Sequence, residues 1–109
     1  MAITSTQSKA PGSVSNIATG SYLDTGTVAA FSITCGFKPR YVRVLNQTSG
    51  DEVEWFYGMT AAHGTKRQAA GTWVNLTSNG ITVTEHGFTV GLDTDICYTS
   101  EQLRWLALG

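Results

Sequence analysis

The sequence is poor in charged residues, which make up only 14% of its 109 residues. Seven lysines and arginines stand against eight aspartates and glutamates, so the formal net charge is −1. A protein that grips the phosphates of a nucleic acid needs a concentrated basic surface. This charge balance therefore argues against a nucleic-acid partner.

Long apolar runs are also missing, although hydrophobic residues make up 41% of the chain. No run approaches the roughly 20 apolar residues that a membrane-spanning helix requires. The opening residues, MAITSTQSKAPGSVSNIATGS, lack the apolar core and cleavage site of a secretion signal. We therefore expect no membrane partner, and a protein that is made and assembled in a cytoplasm.

Cysteine is scarce, and the chain has only Cys35 and Cys97. Two cysteines are too few for a disulfide scaffold, and they are not spaced in the close pairs with histidine that a metal site would need. We expect two thiols that are buried as small apolar groups. A single bridge is the alternative, which a reducing compartment disfavours.

Signals for catalysis are few. Neither His63 nor His86 lies in a motif that would tie it to a nucleophile. Asp93 and Asp95, in the run DTD, could offer carboxylates to calcium, but the further oxygen ligands of a binding loop are absent, so an ordinary acidic turn is expected. No glycine-rich phosphate loop is present. The sequence thus predicts no enzyme, no cofactor and no metal site.

The polar positions are dominated by threonine and serine, with twelve glycines among them, which is a composition typical of strands and turns. The turn signals predict strands at about 14–19, 27–35, 40–46, 51–58, 72–77, 80–84, 87–91 and 102–108. Without helices to cover a parallel sheet, these short strands indicate an all-β, single-domain antiparallel sandwich, jelly roll or small barrel.

The predicted β domain covers residues 14–109 and follows a flexible, polar N-terminal arm at residues 1–13. Within the domain, the sequence SNG predicts a turn at residues 78–80 between two strands. The alanine-rich stretch at residues 59–71 is predicted to be a long mobile loop.

The segment RYVRVLNQTSGDEVEWFYGM predicts a β-hairpin with a four-residue loop at residues 47–50. The predicted pairs are Asn46 with Asp51, Leu45 with Glu52, Val44 with Val53, Arg43 with Glu54, Val42 with Trp55, and Tyr41 with Phe56. Because side chains alternate between the faces of a strand, this register makes one face a dry, core-forming set: Val42, Val44, Val53 and Trp55.

The opposite face of the hairpin carries the Arg43 and Glu54 pair together with three large apolar side chains. These residues are Tyr41, Leu45 and Phe56. On a freely solvated sheet, polar residues would usually stand at such positions. We therefore predict that these three residues form an oligomer interface. The alternative is that the loop at residues 59–71 folds back over them.

Four stretches follow one another in a characteristic order: GFKPRYVRVLNQTSGDEVEWFYGM, an alanine-rich loop, TSNGITVTEHGFTVGLDTDI and the closing LRWLALG. They contain GFxP before an aromatic hairpin and the GM, NGI and GFxxG turns. This arrangement resembles small virion proteins of tailed bacteriophages, which are encoded beside the major capsid protein and are proposed to decorate or cement the head. The similarity covers about residues 28 to 108.

The resemblance implies a β-rich subunit, commonly a homotrimer, that sits on the capsid surface of the virion with the major capsid protein as its partner. The arm would then dock on the shell, with Ile3, Lys9 and Pro11 as the candidate contacts. Simple disorder of the terminus is the alternative for this arm.

The sequence leaves three functions open: a head decoration subunit, a neck, tail or fibre component, and a carbohydrate-binding module. A carbohydrate module would use an aromatic platform, and the candidates for it are Trp55, Trp73, Tyr57 and Tyr98. The alternation of side chains along the hairpin assigns Trp55 to the core, and the apolar run LRWLAL assigns Trp105 to a buried strand. This leaves Trp73 as the strongest candidate platform.

Overall fold

The computed structural model describes residues 16–23, 29–98 and 100–109, and within them the chain forms strands but no helix. The strands are β1 (Ile17–Leu23), β2 (Phe31–Thr34), β3 (Tyr41–Asn46), β4 (Glu52–Phe56), β5 (His63–Arg67), β6 (Trp73–Thr84), β7 (Gly87–Val90) and β8 (Gln102–Leu108). This described part accordingly holds no helix that is long and apolar enough to cross a membrane. Every strand pairing is antiparallel, and the predicted all-β class is confirmed.

The predicted N-terminal arm lies outside the described residues. The same is true of its three candidate docking residues, Ile3, Lys9 and Pro11.

The eight strands form one sheet in the order β1-β8-β3-β4-β5-β6-β7-β2. The sheet curls into a half-barrel, so its two ends face each other across the interior. Phe88 of β7 meets Trp105 of β8 edge to face, with the ring centroids 5.5 Å apart. Tyr22 of β1 stacks on Phe31 of β2 at 4.4 Å, which brings the two edge strands together. One curled sheet therefore supplies both layers of the fold.

The β3–β4 hairpin has the predicted register, from Tyr41 opposite Phe56 to Leu45 opposite Glu52. Its loop closes through the Asn46 amide, which donates to the Asp51 carbonyl over 2.8 Å. The four side chains assigned to the core are all buried: Val42, Val44, Val53 and Trp55. Simple strand parity thus identified the inner face of the sheet correctly.

The rest of the core comes from three places along the chain. β6 and β7 contribute Ile81, Phe88 and Val90; β8 contributes Leu103 and Ala107; the segment after β7 contributes Ile96 and Cys97. Cys35 and Cys97 are not bonded to each other: Cys97 is buried, and Cys35 is half-buried against the core. The expectation of two buried thiols is confirmed for Cys97, whereas Cys35 is only partly buried.

The loop predicted at residues 59–71 is wrong in its middle part, because His63–Arg67 forms β5 between β4 and β6. The sequence HGTKR shows no apolar alternation, since its inward-facing positions are Gly64 and Lys66 rather than aliphatic residues. β5 continues the sheet beside β4, so it does not fold over the outer face of the hairpin. This removes the proposed cover for Tyr41 and Phe56.

The turn predicted at residues 78–80 is also wrong, because β6 runs without interruption from Trp73 to Thr84. The register with β5 shifts there: Gly64 pairs with Leu76, while His63 pairs with Ile81. The residues between form a bulge, in which Asn79 adopts a left-handed φ of 57°. A side chain at Gly80 would lie 2.1 Å from the His63 carbonyl oxygen, so only glycine fits. Bulges bend strands, and this one helps the sheet to curl.

The first two strands differ from their predicted bounds. β1 starts at Ile17 and reaches Leu23 because it pairs along its whole length with β8, at the other end of the chain. Gly20 does not break this strand: a Cβ there would lie 2.5 Å from the Trp105 ring, so the glycine makes room for it. β2 is shorter than predicted and covers only the residues that pair with β7.

Two tryptophans provide a test of the face assignment. Trp55→Ala should lower the free energy of unfolding by about 3–5 kcal/mol, because Trp55 is 7% exposed and its removal opens a core cavity. Trp73→Ala should change stability by no more than about 0.5 kcal/mol, because Trp73 is 60% exposed. Urea unfolding followed by circular dichroism measures both, and equal losses would contradict the assignment.

Candidate functional site

The described residues hold no cluster of three or more histidine, cysteine, aspartate or glutamate side chains that could bind a metal. His86 lies exposed in the turn between β6 and β7, and His63 lies half-buried in β5. On the outer face of the sheet, in contrast, apolar groups meet solvent.

An apolar row crosses four neighbouring strands on the outer face. Ile17 of β1 lies opposite Leu108 of β8, which lies opposite Tyr41 of β3, which lies opposite Phe56 of β4. Ile17 is 64% exposed and Phe56 is 48% exposed. The rings of Tyr41 and Phe56 meet edge to face at 5.2 Å. The strand register thus makes a continuous apolar row across four strands.

The structure brings together two of the three residues that the sequence predicts for the interface. Tyr41 and Phe56 lie side by side in the apolar row, whereas Leu45 lies at the other end of β3. Leu45 instead lines a shallow groove of about 180 Å³ together with Arg43, Arg104 and Leu106. Ile17 and Leu108 were missed, because only the long-range β1–β8–β3 pairing places them beside Tyr41.

The polar tip of Tyr41 is satisfied within the sheet. Its hydroxyl donates a hydrogen bond of 2.5 Å to Glu54 Oε2 on the neighbouring strand. Burial, followed by the hydrogen bond and the negative charge of Glu54, raises the pKa of Tyr41 to about 12. The tyrosine therefore stays neutral, and its ring is held in place as part of the apolar row.

A charged triad links three strands beside the row. Glu52 accepts from Arg43 over 2.5 Å and from Arg67 over 2.9 Å, and its side chain is only 5% exposed. The hydrogen bond to Glu52 raises the pKa of Arg43, despite the cost of burial. Arg43 does lie opposite Glu54, as predicted, but its ion pair runs diagonally to Glu52 because the hydroxyl of Tyr41 occupies Glu54.

The two aspartates considered as calcium ligands are instead bonded to a lysine from the inner face. Lys66 Nζ lies 3.0 Å from Asp93 Oδ2 and 2.8 Å from Asp95 Oδ2, and Gln68 donates to the same Asp95 oxygen over 2.9 Å. The Asp95 amide donates to Asp93 Oδ1 over 3.0 Å, which closes an acidic turn. The acidic turn expected here is confirmed.

No protein-family model matches this chain, and no curated protein or solved structure is significantly similar to it.

Lys66, Asp93, Asp95 and Gln68 form a bonded group, here called the Lys66 cluster. We expect the protein to lose stability in acid because of this cluster. The hydrogen bond from Lys66, followed by that from Gln68, lowers the pKa of Asp95 below its ordinary value. Stability from a lowered carboxylate pKa is present above the unfolded pKa and is lost as the pH falls through the folded pKa. Burial opposes the charge on Lys66, but its bonds to Asp95 and Asp93 outweigh burial and raise its pKa, so its contribution is lost only in strong alkali.

Asp95→Asn should therefore weaken the dependence of unfolding free energy on pH between about 5 and 3. The effect should stay below about 1 kcal/mol, because the Asp95 side chain is 39% exposed and solvent screens it. Glu85→Gln is the control, since Glu85 forms an exposed pair with Lys38. Urea unfolding at several pH values measures all three proteins. An unchanged slope in Asp95→Asn would contradict the assigned role.

Proposed function

We propose that this protein is a virion structural subunit that decorates the outside of a phage head and stabilises it. The observation that carries the proposal is the apolar row, which is exposed at Ile17 and Phe56 on the outer face of a sheet whose described residues hold no metal cluster. The resemblance to small phage virion proteins supports the same reading.

The apolar row supports self-association with a second copy of the chain. Aromatic side chains are enriched in the desolvated centre of protein interfaces, while the rim is polar. The row has this arrangement, because the Tyr41–Phe56 ring pair is bordered by Glu54 and by the charged triad of Arg43, Glu52 and Arg67. A homotrimer is the expected assembly on the basis of the resemblance.

A decoration subunit stabilises a shell by mass action. A protein that binds only the assembled shell shifts the equilibrium toward assembly. The formal net charge of −1 gives this chain little attraction for packaged nucleic acid. In this proposal the arm at residues 1–13 docks on the major capsid protein, with Ile3, Lys9 and Pro11 as the candidate contacts.

Binding to particles tests the function directly. Purified protein is mixed with phage heads that lack it, and bound copies are counted by electron microscopy. We expect many copies over the whole shell and greater resistance of the particle to heat. Deletion of residues 1–13 should abolish docking while leaving the β domain folded. Density confined to one vertex would instead assign the protein to the neck or tail, and an absence of binding would refute both placements.

Self-association is tested by Tyr41→Ser combined with Phe56→Ser. We expect the association constant to fall at least about tenfold, because the aromatic centre of the interface is lost. Leu92→Ser is the matched control, since Leu92 is an exposed apolar residue, 42% exposed, that lies after β7 and outside the row. Sedimentation velocity at micromolar concentration measures the change. A monomeric wild-type protein would rule out this role of the row.

A further inference from the structure

A second concave surface lies on β5 and β6. It is a cleft of about 310 Å³ whose polar lining includes His63, Thr65, Asn75 and Thr77, with Met59 at one side. Thr65 and Asn75 lie directly opposite each other on the two strands. The β6 bulge begins after Leu76, so the strands separate next to this pair. The volume lies at the lower end of the range for small-molecule sites, which is about 300–1,000 Å³.

The polar side chains of this cleft are not bonded to the rest of the described structure. His63, Thr65, Asn75 and Thr77 have no side-chain hydrogen-bond partner among the residues that the structure describes. A matching pair elsewhere behaves differently: Ser32 and Thr89, which are also opposite each other, bond to one another at 2.9 Å. The cleft therefore offers several free donors and acceptors within a small space.

An exposed aromatic residue lies on β6 next to the residues that line the cleft. Trp73 lies on the same strand two residues before Asn75, which places their Cα atoms about 7 Å apart on one face. Its side chain is 60% exposed. The guanidinium carbon of Arg67 lies 5.9 Å from the ring centroid, and Arg67 is itself bonded to Glu52 at 2.9 Å. The guanidinium group of Arg67 thus contacts the Trp73 ring, while most of the side chain is open to solvent.

We propose that this cleft and Trp73 together bind a neutral saccharide residue. A pyranose has an apolar C–H face that can lie on an indole ring and a rim of hydroxyls that need both donors and acceptors. The cleft supplies both kinds of group in His63, Thr65, Asn75 and Thr77. None of the described residues that line it carries a carboxylate, and the charge of the neighbouring Arg67 is already paired with Glu52. An uncharged, hydroxyl-rich ligand fits this chemistry better than a cation or an anion.

The binding site adds a function to the proposed virion subunit, and it is testable on the free, full-length protein. The probes are the methyl β-glycosides of glucose, galactose and N-acetylglucosamine. Binding is followed by tryptophan fluorescence and by ligand-observed nuclear magnetic resonance. Trp73 should dominate the fluorescence response, because Trp55 is buried and Trp105 half-buried. We expect saturable binding of at least one probe below about 10 mM, an affinity typical of a single weak site.

Two variants locate the binding. Trp73→Ala should weaken it at least about tenfold, and Asn75→Ala should weaken it severalfold, with the melting temperature of each close to that of the wild type because both side chains are exposed. Tyr98→Ala is the control, since Tyr98 is an aromatic residue of similar exposure, 53%, in the segment between β7 and β8.

The proposal is overturned if none of the three glycosides binds, or if binding survives both Trp73→Ala and Asn75→Ala. Binding of inorganic phosphate to the same residues, with no glycoside binding, would also overturn it and would make the cleft an anion site. These measurements contain no phage particle. A failure here is therefore distinguishable from a failure of the proposed decoration function.

Discussion

A single sheet has to cover its own inner face, and most features of this protein follow from that constraint. With no helix among the described residues to serve as a second layer, the eight strands curl until β7 faces β8 and β1 meets β2. For the sheet to curl, large inward side chains need space and at least one strand has to bend. Gly20 makes room for the Trp105 ring, and the β6 bulge, with Gly80 packed against the His63 carbonyl, allows the sheet to bend. Glycine is required at these two positions because another part of the chain packs directly against the backbone, and not because the chain turns there.

The curled sheet leaves one part of its interior to be filled by the segment after β7, and buried polar groups hold that segment in place. Asn46 Nδ2 donates to the Ile96 carbonyl over 3.0 Å and to Glu101 Oε1 over 2.9 Å. Lys66 holds the same segment through Asp93 and Asp95. The pair of Lys66 and Asp93 is largely buried, with 9% and 14% of the two side chains exposed, whereas Asp95 is 39% exposed. A buried ion pair adds little net stability, because desolvation offsets the attraction, but removing one of its partners is costly. The cluster therefore specifies the position of the segment more than it strengthens the fold.

The sequence predicted the features that local alternation encodes and missed those that depend on distant partners. The β3–β4 register, its core face and the Tyr41–Phe56 pair follow from parity within twenty neighbouring residues. β5 was missed because its inward Lys66 looks like a solvated residue until Asp93 and Asp95 are placed beside it. Ile17 and Leu108 were missed because only the pairing of β8 with β1 and β3, which are distant in sequence, places them beside Tyr41. The turn predicted from SNG at residues 78–80 was wrong. These residues do interrupt the regular strand, but pairing with β5 makes the interruption a bulge within β6 and not a turn.

The two outer surfaces adjoin, which affects how their functions would combine. The apolar row ends at Phe56, whose amide donates to the Met59 sulfur over 3.4 Å, and Met59 also borders the polar cleft. A second copy seated on the row would therefore stand next to the cleft and could form an additional wall of it. Asn75 lies on β6, two strands away from Phe56. Its substitution reports on the cleft alone, whereas Phe56→Ser would change the row directly and the cleft through Met59. Comparing saccharide affinity above and below the concentration at which the protein associates separates these two contributions.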